Sequence, residues 1–361
     1  MHFAKGLLMA SPLAHRPAAP RRTPVSLLLA LIAINVLVWA WAIVAFAGQP
    51  ALLGTALLAY LFGLRHAVDA DHIAAIDNVV RKLVQQGQRP FSVGFFFSTG
   101  HSTLIALAVF VLVASSSAME SRLGVFKEAG AGFSTAISAL FLLAIAMTNL
   151  FILSGVWKQF VRIRNGEPVC AEDMDMLMAG NGVLARLFRP MFRLVTKSWH
   201  MFPLGFLFGL GFDTATEIGL FSLSAAQPHQ GVPFLSVMVF PALFTAGMAL
   251  VDTVDSILMV GAYGWAFINP MRKIWYNFTI TLTSALMALV IGTIEALGLL
   301  ASRLNLTEGP WVWVSRLNER LAEFGYVAIG LLVLSWAVSA GIYKWKGYDS
   351  LPASTLEGSP Q

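Results

Sequence analysis

Arg65-His66-Ala67-Val68-Asp69-Ala70-Asp71-His72 lies in the middle of Ala51–Val80, a stretch otherwise apolar enough to cross a bilayer. Each Asp or Arg at the centre of a membrane helix costs roughly 2.5–3.5 kcal/mol, so Arg65, Asp69 and Asp71 need compensation. A divalent cation held by imidazole nitrogen and carboxylate oxygen supplies it, and nickel, cobalt or zinc accepts that ligand set. The octet therefore predicts a membrane span built around a metal site.

Working outward, the whole chain has a membrane composition. It is 57% hydrophobic and 12% charged, with a mean hydropathy of +0.72, against roughly 25% charged residues in soluble domains. About 20 apolar residues are needed per crossing. On that criterion we read an all-α polytopic membrane protein with eight transmembrane helices: Pro24–Phe46, Ala51–Val80, Phe91–Ala114, Ala131–Leu153, Trp199–Ala226, Pro233–Trp265, Trp275–Leu300 and Phe324–Tyr343. Charges interrupt the second, fifth and sixth.

Charge placement supports an even count. Eighteen Lys and Arg fall in segments on one side, five (Arg122, Lys127, Arg303, Arg316, Arg320) on the other, and Arg65 inside the membrane. The positive-inside tendency then puts both termini in the cytoplasm. Residues 1–23 and 347–361 read as cytoplasmic tails, and 24–346 as one transmembrane domain with a cytoplasmic loop at 155–198. The pI of about 9.5 reflects topology and contact with anionic lipid, not nucleic acid. Arg21-Arg22 before the first span and Ala45-Phe46-Ala47 at its end also suit a signal peptide. The apolar run between them exceeds the 7–15 residues of a signal core, which favours an uncleaved anchor. The single cysteine, Cys170, excludes an intrachain disulfide and a multi-thiolate metal site. It lies in the loop beside Glu167, Glu172, Asp173 and Asp175, a patch that reads as a regulatory element or a solvated connector.

The polar residues converge in depth. His66 lies near the middle of span two, His101 (in Phe97-Ser98-Thr99-Gly100-His101-Ser102-Thr103) near the middle of span three, and Asp213, with Glu217 one turn on, in span five. On a regular helix Arg65, His66, Asp69, His72 and Asp77 share an arc of about 140°, while Asp71 faces away. Asp71 then touches another helix, or the helix is irregular there, which a protein-lined site tolerates. Blander readings stand beside these. A lone intramembrane His also serves as helix–helix glue, Asp213 or Glu217 can pair with Arg65, and Asp252 and Asp255 in span six mark an ion's path or simply reach toward water.

A short repeat adds an architectural expectation. Leu61-Phe62-Gly63-Leu64 recurs as Leu207-Phe208-Gly209-Leu210, and Phe97-Ser98-Thr99-Gly100 resembles Phe244-Thr245-Ala246-Gly247. The copies lie three spans apart and so cross in opposite directions. Spans two to four and five to seven would form an inverted repeat, as in many secondary transporters.

The first motif, continued by Ile73, resembles the signature of the nickel/cobalt transporter family of bacterial and fungal permeases. Gly211-Phe212-Asp213-Thr214-Ala215-Thr216-Glu217 and the Gly247–Gly261 stretch with Asp252-Thr253-Val254-Asp255-Ser256 resemble its further motifs in the same order. Phe97-Ser98-Thr99-Gly100-His101-Ser102 resembles the remaining one, with Thr99 where a larger residue is expected. The resemblance implies high-affinity uptake of Ni²⁺ or Co²⁺ across a bacterial inner membrane, with the metal as cargo and no cofactor. It implies that His66, Asp69, Asp71 and His72 are essential, and His101, Asp213 and Glu217 join them here on their own positions in spans three and five. Asn35 and Val68 resemble the residues of nickel-selective members, and Arg65, Asp252 and Asp255 would play supporting parts.

Chemistry alone is compatible with that reading. Neutral imidazole binds Ni²⁺ well, and the lack of a thiolate ligand favours release. No nucleotide-binding signature occurs, so ATP is not the direct drive. An intramembrane metalloprotease would need His-Glu-x-x-His, which is missing, and a membrane di-iron enzyme more histidines than the three inside the membrane. Export remains the alternative to uptake, because direction is not encoded in ligand chemistry, and cobalt or dual transport the alternative to nickel.

Overall fold

The structure is a computed structural model that describes residues 24–114, 132–150, 153–154, 157, 195–210, 215–226, 232–266 and 270–345. Among the described residues the regular structure is helical, with no strand. In chain order the helices are α1 (Pro24–Ala45), α2 (Pro50–His66), α3 (Ala70–Gln85), α4 (Val93–Ala114) and α5 (Gly132–Leu150). After a 3₁₀ turn at Ser198–His200 come α6 (Met201–Phe208) and α7 (Ala215–Ala226). A single turn at Phe234–Val237 leads into α8 (Val239–Ala266), followed by α9 (Pro270–Arg303), α10 (Pro310–Glu319) and α11 (Leu321–Trp345).

Six helices among the described residues are long and apolar enough to cross a membrane, or seven if the bent pair α2 and α3 is one span. They correspond to expected spans one to four and six to eight. Expected span five holds α6 and α7, each too short to cross alone, and residues 211–214 between them lie outside the described residues. The long loop with Cys170 and both tails lie outside them too.

The surface is apolar in a way only lipid makes favourable. Leu37 is 68% and Val44 77% exposed on α1, as are Val333 (61%) and Leu334 (59%) on α11. In water such patches would drive association; in a bilayer they face their own solvent. With no hydrophobic drive between helices in lipid, close approach rests on small residues. A Cβ on Gly63 of α2 would lie 2.1 Å from the Phe244 carbonyl oxygen of α8, and one on Gly247 of α8 would lie 3.0 Å from that of Tyr60. The second pair of helices repeats the pattern. A Cβ on Gly205 of α6 would meet the Phe97 oxygen of α4 at 2.1 Å, and one on Gly100 the Phe202 oxygen at 2.0 Å.

The continuous helix on which the 140° arc was drawn does not exist. Span two stops at His66 and restarts at Ala70, turning through 52°. Asp69 takes the N-cap position of α3 in an extended conformation (φ −66°, ψ 146°), but its side chain makes no capping hydrogen bond and turns to Arg65 and His66 instead. The amides in the gap remain satisfied: Val68 bonds to Arg65 and Asp69 to His66, at 3.1 and 3.0 Å. The gap is covered by α11, where a Cβ on Gly325 would lie 1.5 Å from the Val68 carbonyl oxygen. Irregular backbone at membrane depth is here lined by protein, as it must be.

Candidate metal centre

The break presents two helix ends to one point. The C-terminus of α2, negative in the helix dipole, carries His66, and the N-terminus of α3 carries Asp69 and Asp71. A cation is favoured at the first and carboxylates at the second. From α4 comes His101, from α7 Glu217 in its first turn, and from α8 Asp252.

These side chains meet. His66, His72 and His101 are all buried, and each offers a ring nitrogen within 4.8 Å of the others. The Nε2 atoms of His66 and His101 are 2.9 Å apart. Oε1 of Glu217 lies 2.9 Å from Nε2 of His101 and 3.9 Å from that of His66. Such convergence of ring nitrogens and a carboxylate suits a shared cation better than a shared proton.

Neighbours orient each ligand, as around metal-bound imidazoles generally. Asp69 uses both oxygens, Oδ1 at 3.1 Å from Nη1 of Arg65 and Oδ2 at 2.9 Å from Nδ1 of His66. The hydroxyl of Thr216 lies 3.2 Å from that same Nδ1. With Nδ1 so engaged, Nε2 of His66 faces the centre. Nδ1 of His72 is 3.4 Å from Oδ2 of Asp252, which also accepts a 2.5 Å hydrogen bond from the Ser98 hydroxyl. Nε2 of His72 has no hydrogen-bond partner among the described residues, an orphaned nitrogen inside a buried cluster of potential ligands. With carboxylates ionised and imidazoles neutral, Asp69, Asp71, Glu217 and Asp252 outnumber Arg65, and this excess of negative charge favours a cation.

The expected site residues fare differently. His66, Asp69, His72, His101 and Glu217 come together. Asp252, expected only in a supporting part, touches His72 directly. Asp71 is partly buried in the first turn of α3 and lies within electrostatic reach of His72, Asp69 and His66. Arg65 pairs with Asp69 and lies 5.4 Å from the ring centre of Tyr326. Asp213 falls outside the described residues. Asn35 is buried in α1, its amide donating to the carbonyls of Leu31 (2.9 Å) and Ala246 (3.2 Å), which ties α1 to α8. Ser98 and Thr216 were not singled out from the sequence. Ser98 precedes His101 by three residues and so shares its helix face, a spacing that could have flagged it.

A family model described as "High-affinity nickel-transport protein" matches residues 52–342. The chain is 52% identical over 330 residues to a "High-affinity nickel transport protein" of Cupriavidus necator, covering 91% of this chain and 94% of the relative. It is likewise 52% identical to "Hydrogenase nickel incorporation protein HupN" of Bradyrhizobium diazoefficiens, covering 92% and 88%. At 34% identity, covering 81% and 84%, it is similar to "Cobalt transport protein NhlF" of Rhodococcus rhodochrous. No solved structure matches.

Proposed function

The chain belongs to the high-affinity nickel-transport protein family, and on that premise we propose that it carries Ni²⁺ inward across the cytoplasmic membrane. The convergence of His66, His72 and His101 carries the reading. In this reading the three imidazoles are direct ligands, with Glu217 the nearest carboxylate and Asp69 and Asp252 orienting His66 and His72. Asp71 and Asp213 line the approach, Asp213 either as a further ligand or as a second partner of Arg65. Nickel is cargo, not cofactor, and no chemical transformation is required of the protein.

The ion crosses a bacterial inner membrane through eight spans with both termini cytoplasmic. The 18-to-5 distribution of basic residues supports that topology. The matching glycine contacts of α2 with α8 and of α6 with α4 support the inverted repeat, since they join equivalent helices of the two halves. An inside-negative potential contributes roughly 2.3 kcal/mol per charge per 100 mV, and about double for a divalent ion. A second reading, that cobalt is also carried, is favoured by the cobalt-transport relative.

Accumulation of labelled nickel by cells producing the full chain tests the proposal. We expect internal nickel to rise, and to stay at background when His101→Ala is present in the membrane in equal amount. A fall in internal nickel would mean export. Unchanged uptake by His101→Ala would remove the imidazole cluster from the route.

A further inference from the structure

Below the imidazole cluster, α3 and α8 continue side by side in the same direction, as the successive contacts His72–Asp252 and Asp77–Tyr263 establish. Asp255 follows Asp252 by three residues and Asp77 follows His72 by five, roughly 4.5 and 7.5 Å farther along their helices. Asp77 is fully buried. Its Oδ1 accepts a hydrogen bond from the Tyr263 hydroxyl, Ser284 stands beside the same carboxylate, and Oδ2 has no hydrogen-bond partner of regular geometry among the described residues. Oδ2 of Asp255 is also buried without one, and that carboxylate lies within electrostatic reach of both Asp252 and Asp77.

A structural carboxylate here would pair with Arg81, one turn beyond Asp77 and itself buried. It does not. Arg81 gives Nη1 to the Thr281 hydroxyl (3.0 Å) and Nη2 to Oδ1 of Asn78 (2.7 Å), which also accepts from Nδ2 of Asn149 (2.7 Å). Arg81 acts on Asp77 electrostatically, without a direct ion pair between them among the described residues. Asp77, fully buried, and Asp255, partly buried, thus each keep one buried oxygen without a hydrogen-bond partner among the described residues, an arrangement that a visiting cation would stabilise.

We infer that Asp77 and Asp255 form a second, oxygen-only station for a divalent cation, on the cytoplasmic side of the imidazole centre. The inference rests on the nickel-uptake reading for its direction. Oxygen ligands hold a borderline ion less firmly than imidazole does, and conduction needs sites that can be left as well as entered. The station therefore receives the ion from the His72–Asp252 end of the centre and gives it up to the cytoplasm. The fixed charge of Arg81 beyond it weakens retention further.

Manganese, which favours oxygen ligands, probes the station separately from nickel transport. The full chain is purified in detergent as the His72→Ala/His101→Ala double variant, and bound Mn²⁺ is followed by electron paramagnetic resonance. We expect binding that Asp255→Asn or Asp77→Asn weakens by about tenfold or more and Asp255→Glu restores. In proteoliposomes, either asparagine variant of the otherwise unaltered chain should take up nickel about tenfold more slowly or worse, while its equilibrium nickel binding stays within about threefold. Uptake within about twofold of the unaltered chain overturns the inference, whatever the manganese signal. So does manganese binding that neither substitution weakens. If the unaltered chain accumulates no nickel, the uptake reading falls, and the manganese measurement alone decides whether the station exists.

Discussion

The Nε2 atoms of His66 and His101 lie 2.9 Å apart, although 35 residues separate them and they belong to different helices. Two neutral imidazoles at that distance share at most one proton, and Glu217 approaches the same point from a third helix. The pair links the broken span two to the continuous α4.

The Ser98–Asp252 contact should matter for affinity without supplying a ligand from Ser98. Removing the hydroxyl frees Asp252 to rotate away from His72. We expect Ser98→Ala to weaken equilibrium nickel binding by about 10–100-fold, the usual effect of losing an orienting neighbour. Unaltered affinity measured by titration on the purified chain would refute that role.

Helix packing at Gly205 should be intolerant of even one methyl group. The added Cβ of Gly205→Ala would lie 2.1 Å from a backbone oxygen of Phe97, which no side-chain rotation relieves. The expected loss is about 1–3 kcal/mol, seen as a lower unfolding temperature in detergent. Gly341→Ala, with nothing within 4 Å of its Cβ, serves as the control and should leave that temperature unchanged or raise it slightly, since alanine is the better helix former.

Protons should compete with the ion. His66, His72 and His101 bind metal only as neutral imidazoles, and nearby carboxylates only when ionised. Nickel affinity is therefore greatest at neutral to mildly alkaline pH and falls as pH drops and the ligands take up protons. An affinity constant from pH 7.5 to about 5 would exclude imidazole ligation.

Selectivity should respond to Asn35 and Val68 together. Val68 forms part of the break beside His66, and Asn35 joins α1 to Ala246 on α8, two residues from Phe244, whose ring lies 5.6 Å from that of His66. Asn35→His with Val68→Phe should raise cobalt uptake relative to nickel, since an imidazole is a stronger ligand than an amide. Competition between labelled nickel and unlabelled cobalt measures it. If equimolar cobalt already blocks nickel uptake by the unaltered chain, nickel preference is wrong while transport stands.

Much of this protein follows from sequence alone. The apolar runs point to a polytopic helical membrane protein, and the octet at 65–72 to a cluster of polar groups inside one of its spans. Bilayer thickness fixes span length and membrane insertion is costly for charge, so both leave marks in the linear pattern. His66, Asp69, His72, His101 and Glu217 were legible because each is an ionisable group in an otherwise apolar run. Tertiary structure decided what lies between those marks. Periodicity treats span two as one cylinder, whereas the chain breaks after His66 and restarts at Ala70 at an angle of 52°. That Asp252 meets His72, that Asn35 ties two helices together, and that Arg81 turns to Asn78 and Thr281 instead of Asp77 depend on contacts between residues as many as 211 positions apart. A linear pattern records the cost of burying a polar group. Only packing determines which partner offsets it.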